Sequence, residues 1–154
     1  PTGSPKLHRV NVAKRRRKLQ KLAETLPLPK IYGPHGKKIE EGNILLVGWG
    51  STEGAIREVV DALGDAGESA ASMHIKYINP LPNGLENIFG KFSRVFVVEL
   101  NDEGLYGNGQ LCTILRARYC DPKIRSITKI DGLTFKVREI VEGVQNQLKG
   151  SLKS

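Results

Sequence analysis

The sequence has little of what reactive sites and cross-linked folds are made from. Cysteine occurs only at Cys112 and Cys120, which excludes a disulfide framework and gives no metal-type spacing. Histidine occurs at His8, His35 and His74, scattered too widely to form a ligand run. No apolar run approaches the ~18–20 residues a membrane span requires, so none is expected. No charged-then-apolar leader opens the chain, so no secretory signal is expected. The sequence starts at Pro1 and its single methionine is Met73, from which we expect a processed or excised piece of a longer protein.

What is present suits one globular domain. The 154 residues are 39% hydrophobic and 26% charged, enough to bury a core of their own. The net charge of +8 is unevenly placed. Residues 1–38 hold eleven Lys/Arg against one acid, Glu24, whereas the remainder holds thirteen against fifteen Asp/Glu. The basic excess therefore lies in the leader, and a nucleic-acid-binding face on the globule is not expected.

The periodicity divides the chain at the same place. In the basic leader, residues 1–38, Pro1 to Pro5 read as a flexible start. His8 to Leu26 read as a helix that Pro27 and Pro29 end, and Ile31 to Gly42 as extended chain and turns. In the domain proper, residues 39–150, strand and helix patterns alternate four times. Ile44–Val47, Ser72–Ile78, Arg94–Leu100 and Ile124–Ile130 read as strands. Helices are expected at Thr52–Ala66, Leu85–Phe92, Gln110–Tyr119 and Thr134–Leu148. Crossovers of this length join parallel strands and put helices on both faces, so the expected fold is a three-layer α/β/α sandwich with a mostly parallel sheet.

In such sheets ligands and partners meet the carboxyl ends of the strands, where three loops stand out. Gly48–Gly54 resembles a dinucleotide loop, but Glu53 stands where the third glycine belongs, and the second strand ends without a ribose-binding acid. There Ser51 or Thr52 is expected to cap the following helix. Asn79–Gly84 carries two prolines and no proton-transfer group, and reads as a rigid connection. Glu99–Gln110 is long, polar and carries three glycines, and is the best candidate for a functional loop. There Glu99, Asn101 and Gln110 can bind backbone groups of a neighbouring domain. A carboxylate cluster of Glu99, Asp102 and Glu103 is the metal alternative, short of ligands for an oxygen-only site. Ser51 lacks the hydrolase G-x-S-x-G elbow. His74 reads as a satisfied mid-strand histidine, and the two cysteines as small buried residues. Lys14–Lys18 can grip phosphates, or can form a solvated linker or a helix lying on an acidic partner.

The order of these motifs resembles a known family. An apolar strand, Gly48-Trp-Gly-Ser-Thr52 and a helix opening Glu53-Gly-Ala-Ile56 are similar to the C-terminal domain of transketolase-like enzymes. Ile78-Asn-Pro-Leu81 and Val95-Phe-Val-Val-Glu99 fit the same pattern. Ser4–His8 running into Lys14–Leu19, Gly109-Gln110-Leu111, Gly132-Leu-Thr-Phe135 and Glu139-Ile140 narrow it further. Together they resemble the domain that ends the alpha subunit of 2-oxoacid:ferredoxin oxidoreductases, especially the 2-oxoglutarate type. One departure is that Asp102 to Asn108 lengthen a loop that is short in most of that family.

The resemblance implies a parent enzyme that decarboxylates a 2-oxoacid on thiamine diphosphate with magnesium, passes electrons through iron–sulfur clusters to ferredoxin, and releases an acyl-CoA. For this chain it implies a cytoplasmic, non-catalytic domain that carries no cofactor. Its partners would be the other domains of the alpha subunit and a beta subunit. The implied interface residues are Gly50, Ser51, Thr52, Glu99, Asn101, Gly109 and Gln110. A free-standing nucleotide- or CoA-binding module, and a basic-arm nucleic-acid binder, are the two alternative readings.

Overall fold

A computed structural model describes residues 3–150, which divide into two compact units. One unit combines the residues up to Leu28 with Tyr77–Leu85; the other combines Pro29–Lys76 with the residues from Glu86 onward.

In the first unit, helix α1 runs Pro5–Thr25. It begins three residues ahead of the expected start because Pro5 sits in the first turn, where its missing N–H costs no helical bond. It ends where Leu26 turns extended before Pro27, with the Thr25 hydroxyl donating to the Leu22 carbonyl at 2.9 Å. Ala23 is its one buried residue. The Asn83 N–H donates to the Ala23 carbonyl at 3.4 Å, tying the two segments of this unit together.

The second unit is the expected α/β architecture. Its strands are β1 (Ile31–Tyr32), β2 (Gly42–Gly48), β3 (Ala70–His74), β4 (Phe92–Glu99) and β5 (Ile124–Thr128). The sheet order is β1-β3-β2-β4-β5, parallel throughout except for antiparallel β1. Ile31 and Tyr32 precede residue 38, so part of the basic leader belongs to the sheet. The helices are α2 (Glu53–Asp65), α3 (Leu85–Phe89), α4 (Gln110–Tyr119) and α5 (Val137–Gly150).

Alternation along the strands builds the layers. Ile44, Leu46, Phe96, Val98 and Ile127 turn to one face and pack with Ile56, Val59, Val60 and Leu63 of α2 and Ile140 and Val144 of α5. The intervening Leu45, Val47, Val95, Val97 and Ile124, all buried, turn to the opposite face, where α4 lies on β4 and β5. Phe89 meets Tyr119 of α4 edge to face, with ring centroids 5.5 Å apart. Each fully buried aliphatic or aromatic side chain contributes about 1.5–3 kcal/mol, which makes this double-faced sheet the main source of stability.

Several element ends differ from expectation. β3 stops at His74 rather than Ile78, because its neighbour β2 runs out at Gly48; the last ladder bond is Ile75 N–H to the Gly48 carbonyl, 2.8 Å. α3 stops at Phe89 because the chain enters β4 at Phe92. α5 starts at Val137 rather than Thr134, with the Glu139 carboxylate accepting the Lys136 N–H at 2.8 Å. Neither Ser51 nor Thr52 caps α2; instead the Thr52 hydroxyl folds back, accepting the Trp49 N–H at 3.2 Å and donating to the Trp49 carbonyl at 3.0 Å.

A single turn, Pro34–Gly36, is docked on α2. The His35 N–H donates to Asp61 at 2.6 Å, and its ring Nε2 lies 2.9 Å from Asp65. Gly64 is required beneath Pro34, because a β-carbon there would overlap the proline ring.

Candidate interface at the carboxyl edge of the sheet

The carboxyl ends of the adjacent strands β2 and β4 gather the candidate residues. Their centre is Glu99, the last residue of β4, fully buried. Alternation puts it on the α4 side with Val95 and Val97. Its Oε2 accepts the Leu111 N–H at 2.8 Å and the Asn101 side-chain amide at 2.9 Å; its Oε1 accepts the Cys112 N–H at 2.9 Å. Ser126, on the same face of β5, completes the set, its hydroxyl accepting the Gly109 N–H at 3.1 Å. Two sheet side chains thus satisfy three of the amides that the start of α4 leaves without helical partners, and the carboxylate complements the positive end of the helix.

This arrangement differs from the contacts expected of Glu99. Its carboxylate meets the backbone of its own chain, and it does not join Asp102 and Glu103, which are exposed. Among the described residues no group of three His, Cys, Asp or Glu is placed to hold a metal ion. Gly109 leaves the space the carboxylate occupies, since a β-carbon there would run into Glu99. Gln110 is exposed at the first position of α4, and Asn101 is half-buried with its Oδ1 unpartnered. Ser126 escaped the sequence reading because nothing local distinguishes it within β5.

The Gly48–Thr52 loop lies at the end of the neighbouring strand. Gly48 is buried, and a β-carbon there would come within 2.5 Å of Ile56 and 2.7 Å of the Thr52 hydroxyl. Gly50, with φ +61°, and Ser51 are exposed, while Thr52 is buried. Glu53, at the third-glycine position, pairs with Arg57 at 2.7 Å. Ser51, Thr52, Leu100 and Phe135 line a cleft of about 300 Å³ between the start of α2 and the start of α5.

The remaining suspects separate. His74 is not satisfied as expected, because its Nδ1 is buried without a partner near Gly48. Cys112 is buried and its thiol is pushed up to about 11, first by burial and then by the Glu99 charge. Cys120 is exposed, contrary to the expectation that both cysteines are buried; it sits in left-handed conformation just past α4.

Beside this edge Lys129 Nζ reaches both Glu139 oxygens at 2.8 and 2.7 Å, the Thr134 carbonyl at 3.1 Å and Asp131 at 3.4 Å. These bonds raise the Lys129 pKa, with Glu139 the largest cause, and Lys129 in turn lowers that of Glu139. No described helix is long and apolar enough to cross a membrane.

Residues 42–140 match the family described as pyruvate:ferredoxin oxidoreductase core domain II. The chain belongs to this family. The matched span takes in the whole sheet except β1, together with all three strand-end loops. The domain is 33% identical over 129 residues to the 2-oxoglutarate oxidoreductase subunit KorA of Mycobacterium tuberculosis, covering 80% of this chain and 19% of that protein. It is 30% identical over 149 residues to the alpha subunit of 2-oxoacid:ferredoxin oxidoreductase 2 of Aeropyrum pernix, covering 96% and 22%. This domain II chain thus spans about a fifth of these oxidoreductase subunits. Among solved structures it resembles the 2-oxoglutarate:ferredoxin oxidoreductase of Magnetococcus marinus, solved with 2-oxoglutarate, coenzyme A and succinyl-CoA bound. The TM-score is 0.76 at 26% identity, covering 95% of this chain and 24% of that one. A split-gene transketolase, at TM-score 0.57 and 15% identity, covering 79% of this chain and 46% of that one, shares the fold.

Proposed function

We propose that this domain is a non-catalytic, assembly-forming part of the alpha subunit of a cytoplasmic 2-oxoglutarate:ferredoxin oxidoreductase. The parent would convert a 2-oxoacid and CoA to acyl-CoA and pass electrons to ferredoxin, using thiamine diphosphate, magnesium and iron–sulfur clusters held by other domains and a beta subunit. The observation that carries this reading is the use of Glu99. Both of its oxygens are committed to amides of α4 and to Asn101, so the strand-end carboxylate serves shape rather than proton transfer or ion binding. The donor set does not fit the implied groups either: one cysteine is buried in α4 and the other exposed just past its end, whereas a cluster commonly takes four thiolates. The family match and the KorA likeness support the choice of parent. In this role Gly50, Ser51, Asn101 and Gln110 are the contact surface, with Thr52, Glu99 and Gly109 holding it in position.

The test has two arms. The 154-residue chain, titrated with thiamine diphosphate and magnesium in a calorimeter, gives no saturable heat; saturable heat overturns the proposal. The full alpha–beta complex containing this domain reduces ferredoxin in a 2-oxoglutarate- and CoA-dependent way. Deleting the domain removes the complex itself, so intact assembly without it also overturns the proposal.

A further inference from the structure

The α/β unit wears its exposed apolar side chains at one end. Of the six large ones it exposes among the described residues, Leu100, Leu105, Tyr106, Ile130 and Leu133 lie in the two loops that leave β4 and β5; only Ile114 lies elsewhere. Leu105 is 97% exposed, Tyr106 86%, Ile130 72% and Leu133 63%, and apolar side chains gathered in this way mark interaction sites where scattered ones do not. The loops are held side by side. The Lys129 N–H donates to the Glu99 carbonyl at 3.1 Å, and the Thr128 hydroxyl lies 3.5 Å from Glu103. The cleft between the starts of α2 and α5 opens beside them, with Leu100 in its wall. Asp102, Glu103 and Asp131 give these loops three acids, while Lys129 is engaged by Asp131 and Glu139.

We propose that these two loop tips and the adjoining cleft form a docking surface for the rest of the alpha subunit. The occupant is a surface with an apolar side chain that enters the cleft and Lys or Arg at its margin. The acids specify a basic margin on the β4 side, at Asp102 and Glu103, whereas Lys136 in the wall of the cleft calls for an apolar or acidic neighbour on the α5 side. The source follows from size: the matched alpha subunits are about five times as long as this chain, so most of the covering surface available to it is in that polypeptide. Aromatic and aliphatic anchors supply most of an interface's binding energy, and Leu105 and Tyr106, the two most exposed, are the candidates here. The segment that lengthens the loop, Asp102–Asn108, thereby becomes the recognition element. This rests on the reading of the chain as an assembly-forming domain.

In the full alpha–beta complex, Leu105 is replaced by the photo-crosslinking residue p-benzoylphenylalanine, and the joined peptide is identified by mass spectrometry. A peptide from the rest of the alpha subunit, apolar with flanking Lys or Arg, is the expected result. Crosslinks to the beta subunit, to a second copy of this domain, or to nothing overturn the proposal. Amide exchange in residues 100–109 and 129–136 is expected to slow at least tenfold in the complex relative to the 154-residue chain; equal exchange also overturns it. An assembled, active complex in which these loops stay exposed defeats the docking surface and leaves the proposed function standing. A domain that never enters the complex defeats both.

Discussion

Glu99 and Gly109 share one small space: the carboxylate of the strand residue occupies the volume a side chain at the helix-start residue would fill. The last residue of β4 and the glycine preceding α4 are therefore fitted to each other across the nine residues 100–108.

Replacing either residue tests the fit. Gly109→Ala is expected to displace the start of α4 and to cost about 1–3 kcal/mol, as overpacking does. Glu99→Gln keeps the shape but puts an amide group among three N–H donors, costing about 1.5–3 kcal/mol through lost charge-assisted bonds. Urea midpoints of both variants, with unchanged slopes, check the two values.

The Lys129–Glu139 pair fixes the start of α5, and its contribution depends on pH at both ends. Glu139 titrates below its ordinary 4.5, so its share is present above that value and is lost as pH falls through the lowered one. Lys129 titrates above 10.5, so its share is present below that value and disappears as pH rises through the raised one. The difference in melting temperature between the native chain and Lys129→Met should stay level between these limits and shrink outside them.

His35 should titrate above 6.5 in an NMR experiment, because Asp65, and then Asp61, favour its charged form. Its contribution to holding the Pro34–Gly36 turn is complete below pH 6.5 and fades as pH rises through the raised value. Asp65→Asn should bring the ring's midpoint back toward 6.5. An unchanged midpoint would show that the 2.9 Å contact does not form in solution.

Of the two thiols, one should react with a disulfide reagent at pH 8 in the folded chain and both in urea. Cys120 is exposed, whereas Cys112 is buried and, at about 11, remains protonated. Labelling both in the native state would contradict the packing of α4.

The architecture was legible because solid apolar runs such as Ile44–Val47 and striped helices such as α2 report burial directly. α4 was read to the residue, since Gly109 and the polar loop before it mark its start. β1 was not, because two residues carry no period. The direction of Glu99 was hidden for a related reason: a strand buried on both faces has no polar alternation to tell one face from the other. The partnership of Glu99 and Ser126 depends on the β4–β5 register, which only tertiary structure fixes. Thr52 was misread as a cap because a hydroxyl at that point can bond forward to the helix or back to the turn, and the bonds to Trp49 won.

The two-residue strand β1 has a mechanical corollary. There and just behind it the chain is pinned by the Tyr32 ring of β1 under Arg57, 4.4 Å away, by the Pro34 ring on Gly64 and by His35 on the Asp61–Asp65 turn of α2. A protease trimming the polypeptide from its amino end would stall near Pro29, leaving a trimmed particle whose five-stranded sheet keeps every ladder.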